Sequence, residues 1–507
     1  MIKNFKWLVL VSLTIVACSS NDEDSTPVDV PVTAGSADFS KYVAIGDSFA
    51  AGYSDNALFK KGQENSYPSI LSQQFEEVGG GEFKIPFMSD NIGGFSIGGS
   101  QISLFPTRLV FNGAAPVNVP GVSGTAFGVA IPGIYNNMGV PGAKSFHLTF
   151  NGYANANPYF GRFASSPTAT IIGDALIQEP TFFSLWIGGN DVLGYATNGG
   201  IPTSQDPTNG NDITPTATFD AVYTGIAAQL AAGGRKGVVA NLPYVSSLPF
   251  FTTVPYNPLT ALTIGLGNQA VGEATIQALN AQLYGPLKLA LTAVGAGDRI
   301  NLLSLTEGNP LLIKDETLTN LSDDIKDQLT PIIGLPTATA FGQVFGQARQ
   351  TKKSVDGTFV DYVLLTTKSA IGSTSPASAP LDKYGITYPL EDKHVLIQAE
   401  VAEIKAATDA YNITIQNAAE ANDLAFVDTK SVMNQLVNGG ISFGNYHMST
   451  SFAVGGAFSL DGVHPCARGY ALIANKFMEA INAKYGSTFK PVDLGKYRVQ
   501  YPAVITD

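Results

Sequence analysis

The 507-residue sequence predicts an α/β sandwich with a mostly parallel sheet. Two observations carry that expectation. Short apolar runs recur along the chain without strict alternation, as strands buried on both faces do. Between them lie segments whose apolar residues are three and four apart, the spacing of a helix face. Strands alternating with helices indicate helices layered on a parallel sheet.

The elements follow in order. Tyr42-Val43-Ala44-Ile45 is strand-like and stops at Gly46-Asp47-Ser48, ahead of a helix-compatible segment. Tyr67 to Phe75 has helical spacing, and Pro68 suits a first helical turn. Residues 79–135, rich in Gly, Phe, Val and Pro, read as loops and short β segments inserted into the main domain. Thr181 to Ile187 is a buried strand bounded by Gly188-Gly189, and Lys236 to Pro243 is another, ending in a Pro-containing loop. Glu273 to Leu283 and Val395 to Ala421 are expected to be helical. In the second, Val395, Ile397, Val401, Ile404, Ala407, Tyr411, Ile415 and Ala418 mark one face. Leu424 to Asp428 reads as a strand. Residues 306–390 mix Gly, Thr, Ser and Pro with short apolar runs and read as a long insertion or cap. The main domain is expected over 38–490, with a C-terminal tail at 491–507.

With 45% hydrophobic and 14% charged residues, the chain can bury a large core. Its net charge of -12, with no basic stripe, argues against nucleic-acid binding. It also gives no long-range attraction to an anionic membrane surface. Lys3 and Lys6 precede a short apolar run, Trp7 to Val16, that cannot span a bilayer. Ile15-Val16-Ala17-Cys18 resembles a bacterial lipobox. That resemblance implies removal of residues 1–17 and lipidation of Cys18, and so an N-terminal membrane anchor. Cleavage leaves 27 basic against 41 acidic side chains, a formal charge of −14. The alternative is an ordinary secretory signal in which Cys18 is incidental. Ser19 to Ser25 resembles the acidic surface-export signal of some Gram-negative lipoproteins, which implies a surface-exposed outer-membrane protein. The alternatives there are a solvated tether and a periplasmic or secreted protein. Residues 18–37 are expected to form a flexible leash. Cys466 alone remains beyond it, so no intramolecular disulfide forms, and no Cys/His spacing suggests zinc.

Four segments carry candidate chemistry: Gly46-Asp47-Ser48, Asn137 to Ala143, Gly188-Gly189-Asn190-Asp191 and Asp461-Gly462-Val463-His464-Pro465. A serine between a buried strand and a helix N-terminus is a candidate nucleophile, because negative charge is stabilised there. A hydroxyl needs a base to take its proton, and His464 is the candidate. Asp461, three residues earlier, can orient that imidazole in a compact turn. The Ser48 and Gly142 N–H groups and the Asn190 amide can serve an oxyanion, each worth roughly 3–4 kcal/mol.

Together and in this order, the four segments resemble the conserved blocks of the SGNH, or GDSL, hydrolases. The resemblance spans roughly residues 40–75, 136–145, 180–245 and 395–485. It implies a three-layer, flavodoxin-like α/β/α sandwich with large insertions, closed by a helix over Ala467 to Ala480. It implies Ser48 as nucleophile, Asp461 and His464 completing the triad, and Gly142 and Asn190 as oxyanion donors, with Gly139 second to Gly142. Phe49 stands where many members carry leucine. The implied activity is a serine esterase or lipase acting on acylated lipid or glycan, with no metal or nucleotide cofactor. The Gly- and Phe-rich insertion hints at an apolar acyl pocket. The alternative from another class is a surface protein that captures glycan or lipid on a hydrolase scaffold without turnover.

Other polar residues have plainer readings. Asp47 is expected to bond within its loop, Asp191 to cap a helix, and Asp428 to end a strand. Cys466 reads as a small packed residue. His394 is expected to be exposed. His147 and His447 lie near the blocks in sequence and are read as structural rather than substrate-binding.

Overall fold

The computed structural model describes residues 31–203, 210–354 and 360–506. The targeting segment 1–17 and Cys18 lie outside the described residues. Five strands form one parallel sheet: β1 (Tyr42–Gly46), β2 (Asn137–Gly139), β3 (Phe182–Trp186), β4 (Lys236–Ala240) and β5 (Ala425–Val427). Their order is β5-β4-β3-β1-β2. Every residue of β1 and β3 is buried, which is why these runs show no polar alternation. β2 has no such signature. Asn137-Met138-Gly139 contains one large apolar residue, and it is a strand because Ala44 to Gly46 supplies its ladder.

Two groups of helices cover the sheet. On one side, α2 (Tyr67–Glu76) packs with α7 (Ala467–Tyr485), which also lies on β4 and β5. Phe182 and Trp186, four residues apart on β3, share a face in a period-two strand. Phe182 meets Phe75 and Tyr485, and Trp186 meets Tyr67 and Phe477. In the other group, α5 (Gln398–Ala421) packs with α3 (Asn190–Thr197), α4 (Thr216–Ala231) and β4. Phe219 of α4 stacks on Tyr411 of α5 at 4.1 Å between ring centroids. Ser66 caps α2 through the Ser69 N–H, with Pro68 in the first turn as expected.

α5 starts three residues later than its periodicity suggests. Val395–Leu396 pairs with Tyr362–Val363 as a short antiparallel ladder. The Glu400 carboxylate then accepts the Ile397 N–H at the helix entry. The helix expected over Glu273–Leu283 runs from Gln269 to Leu279 and passes into a π turn over Asn280–Tyr284.

The chain between β4 and α5 builds cores of its own. Ile276, Leu287, Leu329 and Phe345 belong to one cluster, and Val254, Leu311, Leu390 and Val395 to another. Although its Leu364 belongs to the main core, the 306–390 stretch contributes to both clusters. Arg349 is buried there between Asp315 and Asp361, with Nε 2.5 Å from Asp315 and Nη2 3.1 Å from Asp361. Residues 79–135 form two small hairpins, and Met88 and Phe95 sink into the main core.

Both ends of the described chain are tied down. Residues 33–37 depart from the expected leash: the Thr33 N–H donates to Thr488 Oγ1 and the Ser36 N–H to the Tyr485 carbonyl, both at 2.8 Å. In the C-terminal tail, Leu494 and Tyr501 are buried. The Arg108 guanidinium donates to the Pro502 and Ala503 carbonyls. Among the described residues, no helix is long and apolar enough to cross a membrane.

Removing Arg349 leaves two buried carboxylates facing each other without a cation. Arg349→Ala is expected to destabilise the inserted unit by roughly 3–5 kcal/mol. Hydrogen exchange should show protection lost first over 312–350, and retained protection there would contradict this account.

Candidate active site

The strand order places the site. From β1 the chain goes to β2 on one side, then crosses back to β3 on the other. In open α/β sheets, ligands bind outside the carboxyl ends of the strands at such a switch point. Ser48 follows β1, Gly142 follows β2 and Asn190 follows β3, so all three candidates sit at that crevice.

Ser48 is the first residue of α1 (Ser48–Ala51). Asp47 caps this turn, its Oδ1 accepting the Phe49 N–H at 2.9 Å, which is the within-loop bond expected of it. β2 holds α1 from the side: Asn137 Nδ2 donates to the Ala50 carbonyl at 2.8 Å. Asn137 Oδ1 also takes the Gly139 N–H at 2.9 Å, and a Cβ at Gly139 would come within 2.3 Å of the Ala51 nitrogen. Gly139 therefore serves close packing, and its N–H is occupied. Gly142 has φ +81°, and among the described residues neither its N–H nor that of Ser48 has an acceptor. Asn190 Nδ2 gives one hydrogen to the Ala143 carbonyl at 3.0 Å, leaving the second to donate elsewhere.

Asp461 and His464 meet Ser48 although 416 residues separate His464 from it. His464 Nε2 lies 2.8 Å from Ser48 Oγ, and Nδ1 lies 3.0 Å from Asp461 Oδ2. Asp461 Oδ1 accepts the Val463 and His464 N–H groups, and Oδ2 accepts the Asn56 N–H. Burial alone would raise this carboxyl. The His464 charge and hydrogen bond, with the two backbone donors of its own turn, outweigh burial and hold it at about 2. Asp47 shows the opposite balance. Burial pushes it up to about 7, against the Phe49 N–H and the His464 charge, and neighbouring Asp191 adds to the rise.

Several supporting residues had no signal in the sequence. The Tyr53 ring packs 4.6 Å from the His464 ring, with its hydroxyl on the Asn56 carbonyl. Asp55 Oδ1 accepts the Leu460 N–H just before the turn of Asp461 and His464. From the segment after β4, the Phe250 N–H donates to the Gly462 carbonyl at 2.9 Å. Apart from the local Tyr53–Asn56 bond, each of these contacts joins segments or rings whose proximity only the folded chain creates.

Asp191 departs from its expected role. It does not cap α3, where no side chain caps Gly189. It is buried and accepts the Ser145 N–H and hydroxyl at 2.8 and 2.7 Å, tying the loop after β2 to α3. His147 is buried, with Nδ1 accepting the Lys144 N–H and its ring stacked on Tyr153. His447 is exposed and pairs with Ser442. His394 is half-buried rather than exposed, its ring set edge-on to Tyr384. Asp428 caps α6 (Thr429–Val437). Cys466 is buried, and burial pushes its thiol up to about 11, so thiolate chemistry there is suppressed.

No protein-family model matches the chain, and neither does any curated protein or solved structure.

Burial also pushes Asp55 up to about 7, opposed by the Leu460 N–H. A carboxyl raised on folding stabilises the native state fully only below its unfolded value of about 4, and that stability is lost as pH climbs to the folded value. Asp55→Asn keeps the acceptor and removes the charge. Its Tm should gain on wild type between pH 4 and 7 and hold a constant lead above that. A pH-independent difference in thermal melts would refute the assignment.

Proposed function

We propose that this chain is a serine-dependent ester hydrolase of the SGNH type, built on a three-layer α/β/α sandwich. The observation that carries the reading is the continuous hydrogen-bonded line from Ser48 Oγ through both nitrogens of His464 to a buried, ionised Asp461. On this reading His464 Nε2 takes the Ser48 proton as Oγ attacks the acyl carbonyl. Asp461 holds the Nδ1–H tautomer and stabilises the imidazolium that forms. The tetrahedral oxyanion is met by the Ser48 and Gly142 N–H groups and the second hydrogen of Asn190 Nδ2. Collapse passes the proton from His464 to the departing alcohol and leaves an acyl-serine. Water, deprotonated by the same imidazole, then releases the acid.

The lipobox-like segment supports anchoring through a lipidated Cys18 at the outer-membrane surface. Palmitate labelling that survives Cys18→Ser would rule this anchor out.

Turnover of p-nitrophenyl esters from acetate to palmitate tests the activity. Ser48→Ala should abolish it, and Asp461→Asn should lower kcat by roughly 10³–10⁴. Asn190→Ala should cost about 10²–10³ in kcat with little change in KM. Full activity after Ser48→Ala would end the proposal.

A further inference from the structure

An apolar cavity adjoins the turns that carry Ser48 and His464, neither of which lines it; the Phe49 ring, 5.5 Å from the His464 ring, stands between. Phe49, next to Ser48, and Pro465, next to His464, both line it. Trp186 stands against Phe49, with ring centroids 4.9 Å apart, and lines it too. The cavity then follows the facing sides of α6 and α7, along Val432, Leu436, Leu472 and Ile473. Val432 and Ile473 are half-buried and form its outer end. No residue of the Gly- and Phe-rich insertion 79–135 lines it, so this apolar space lies away from where composition hinted.

Its lining offers little to a polar ligand. The Thr429 hydroxyl is spent on the Asn241 carbonyl. Lys476 is drawn to Glu479 at 2.8 Å. A hydroxylated or charged group placed here would lose hydrogen bonds to water with nothing in return, whereas apolar cavities stay dry and accept apolar guests. The volume is about 60 Å³. That is several times the roughly 10–15 Å³ one water-sized sphere needs, so the space takes a run of methylenes rather than a single methyl.

We propose that this cavity is the acyl subsite and that the substrate is an ester of a medium-chain fatty acid. The inference rests on the ester-hydrolase reading above. The first carbons of the chain pass Phe49 and fill the space between α6 and α7, and the remainder emerges between Val432 and Ile473. An acetyl group leaves the cavity empty, so glycan deacetylation makes no use of it.

Tryptophan provides a direct probe, because Trp7 and Trp186 are the chain's two tryptophans. In the full chain carrying Trp7→Phe, 2-bromooctanoate below its micellar concentration should quench Trp186 saturably. Adding Val432→Phe and Ile473→Phe fills the outer end, and should weaken binding about tenfold and lower the octanoate-to-acetate turnover ratio by a similar factor. Ile473→Phe alone serves if the pair does not fold. Linear, unsaturable quenching overturns the proposal, as does equal affinity in the filled variant. Saturable quenching without Ser48-dependent turnover of any ester would sink the hydrolase reading instead, while leaving the cavity as a fatty-acyl site.

Discussion

The pairing of β1 with a parallel neighbour on each side is the constraint on which the site depends. Because β2 and β3 flank it, three strand ends open on one crevice. Ser48 and the backbone groups beside it are then held by ladders that cannot slip without exposing buried apolar residues. Asn137 reinforces this by fastening the Ser48 turn from the side, and Asp191 fastens the loop that carries Gly142. Both act through backbone, fixing where Ser48 and Gly142 stand.

Three aspartates around this crevice show how one side chain serves opposite ends. Asp461 collects three backbone N–H groups and an imidazole, and stays ionised although buried. Asp47 and Asp55 are buried with one such donor each, and their charge is disfavoured. Burial is common to all three, so the His464 charge and the donors gathered around Asp461 decide the outcome. The carboxylate bonded to His464 Nδ1 is therefore the one of the three that the fold has equipped to remain charged.

Much of this was legible in the chain itself. β1, β3, β4 and β5 announced themselves because strands buried on both faces need unbroken apolar runs. The Ser48, Asn190 and His464 segments stood out because glycine and polar residues cluster where such runs end. β2 was not legible: its three residues become a strand only when β1 pairs with them. The start of α5 was misplaced because Val395 and Ile397 fit a helix face equally well, and pairing with Tyr362–Val363 claims the first of them. Asp191 looked like a cap because it sits in a first helical turn. Its real partner, Ser145, is 46 residues away and invisible to local pattern.

The bond from the Phe250 N–H to the Gly462 carbonyl links two segments far apart in the chain. Gly462 is buried, so its carbonyl has no ready exchange with water if that donor leaves. A local opening of the short helix Pro249–Thr252 therefore also loosens the turn that carries Asp461 and His464. The order of that turn is tied to the stability of a segment more than two hundred residues away.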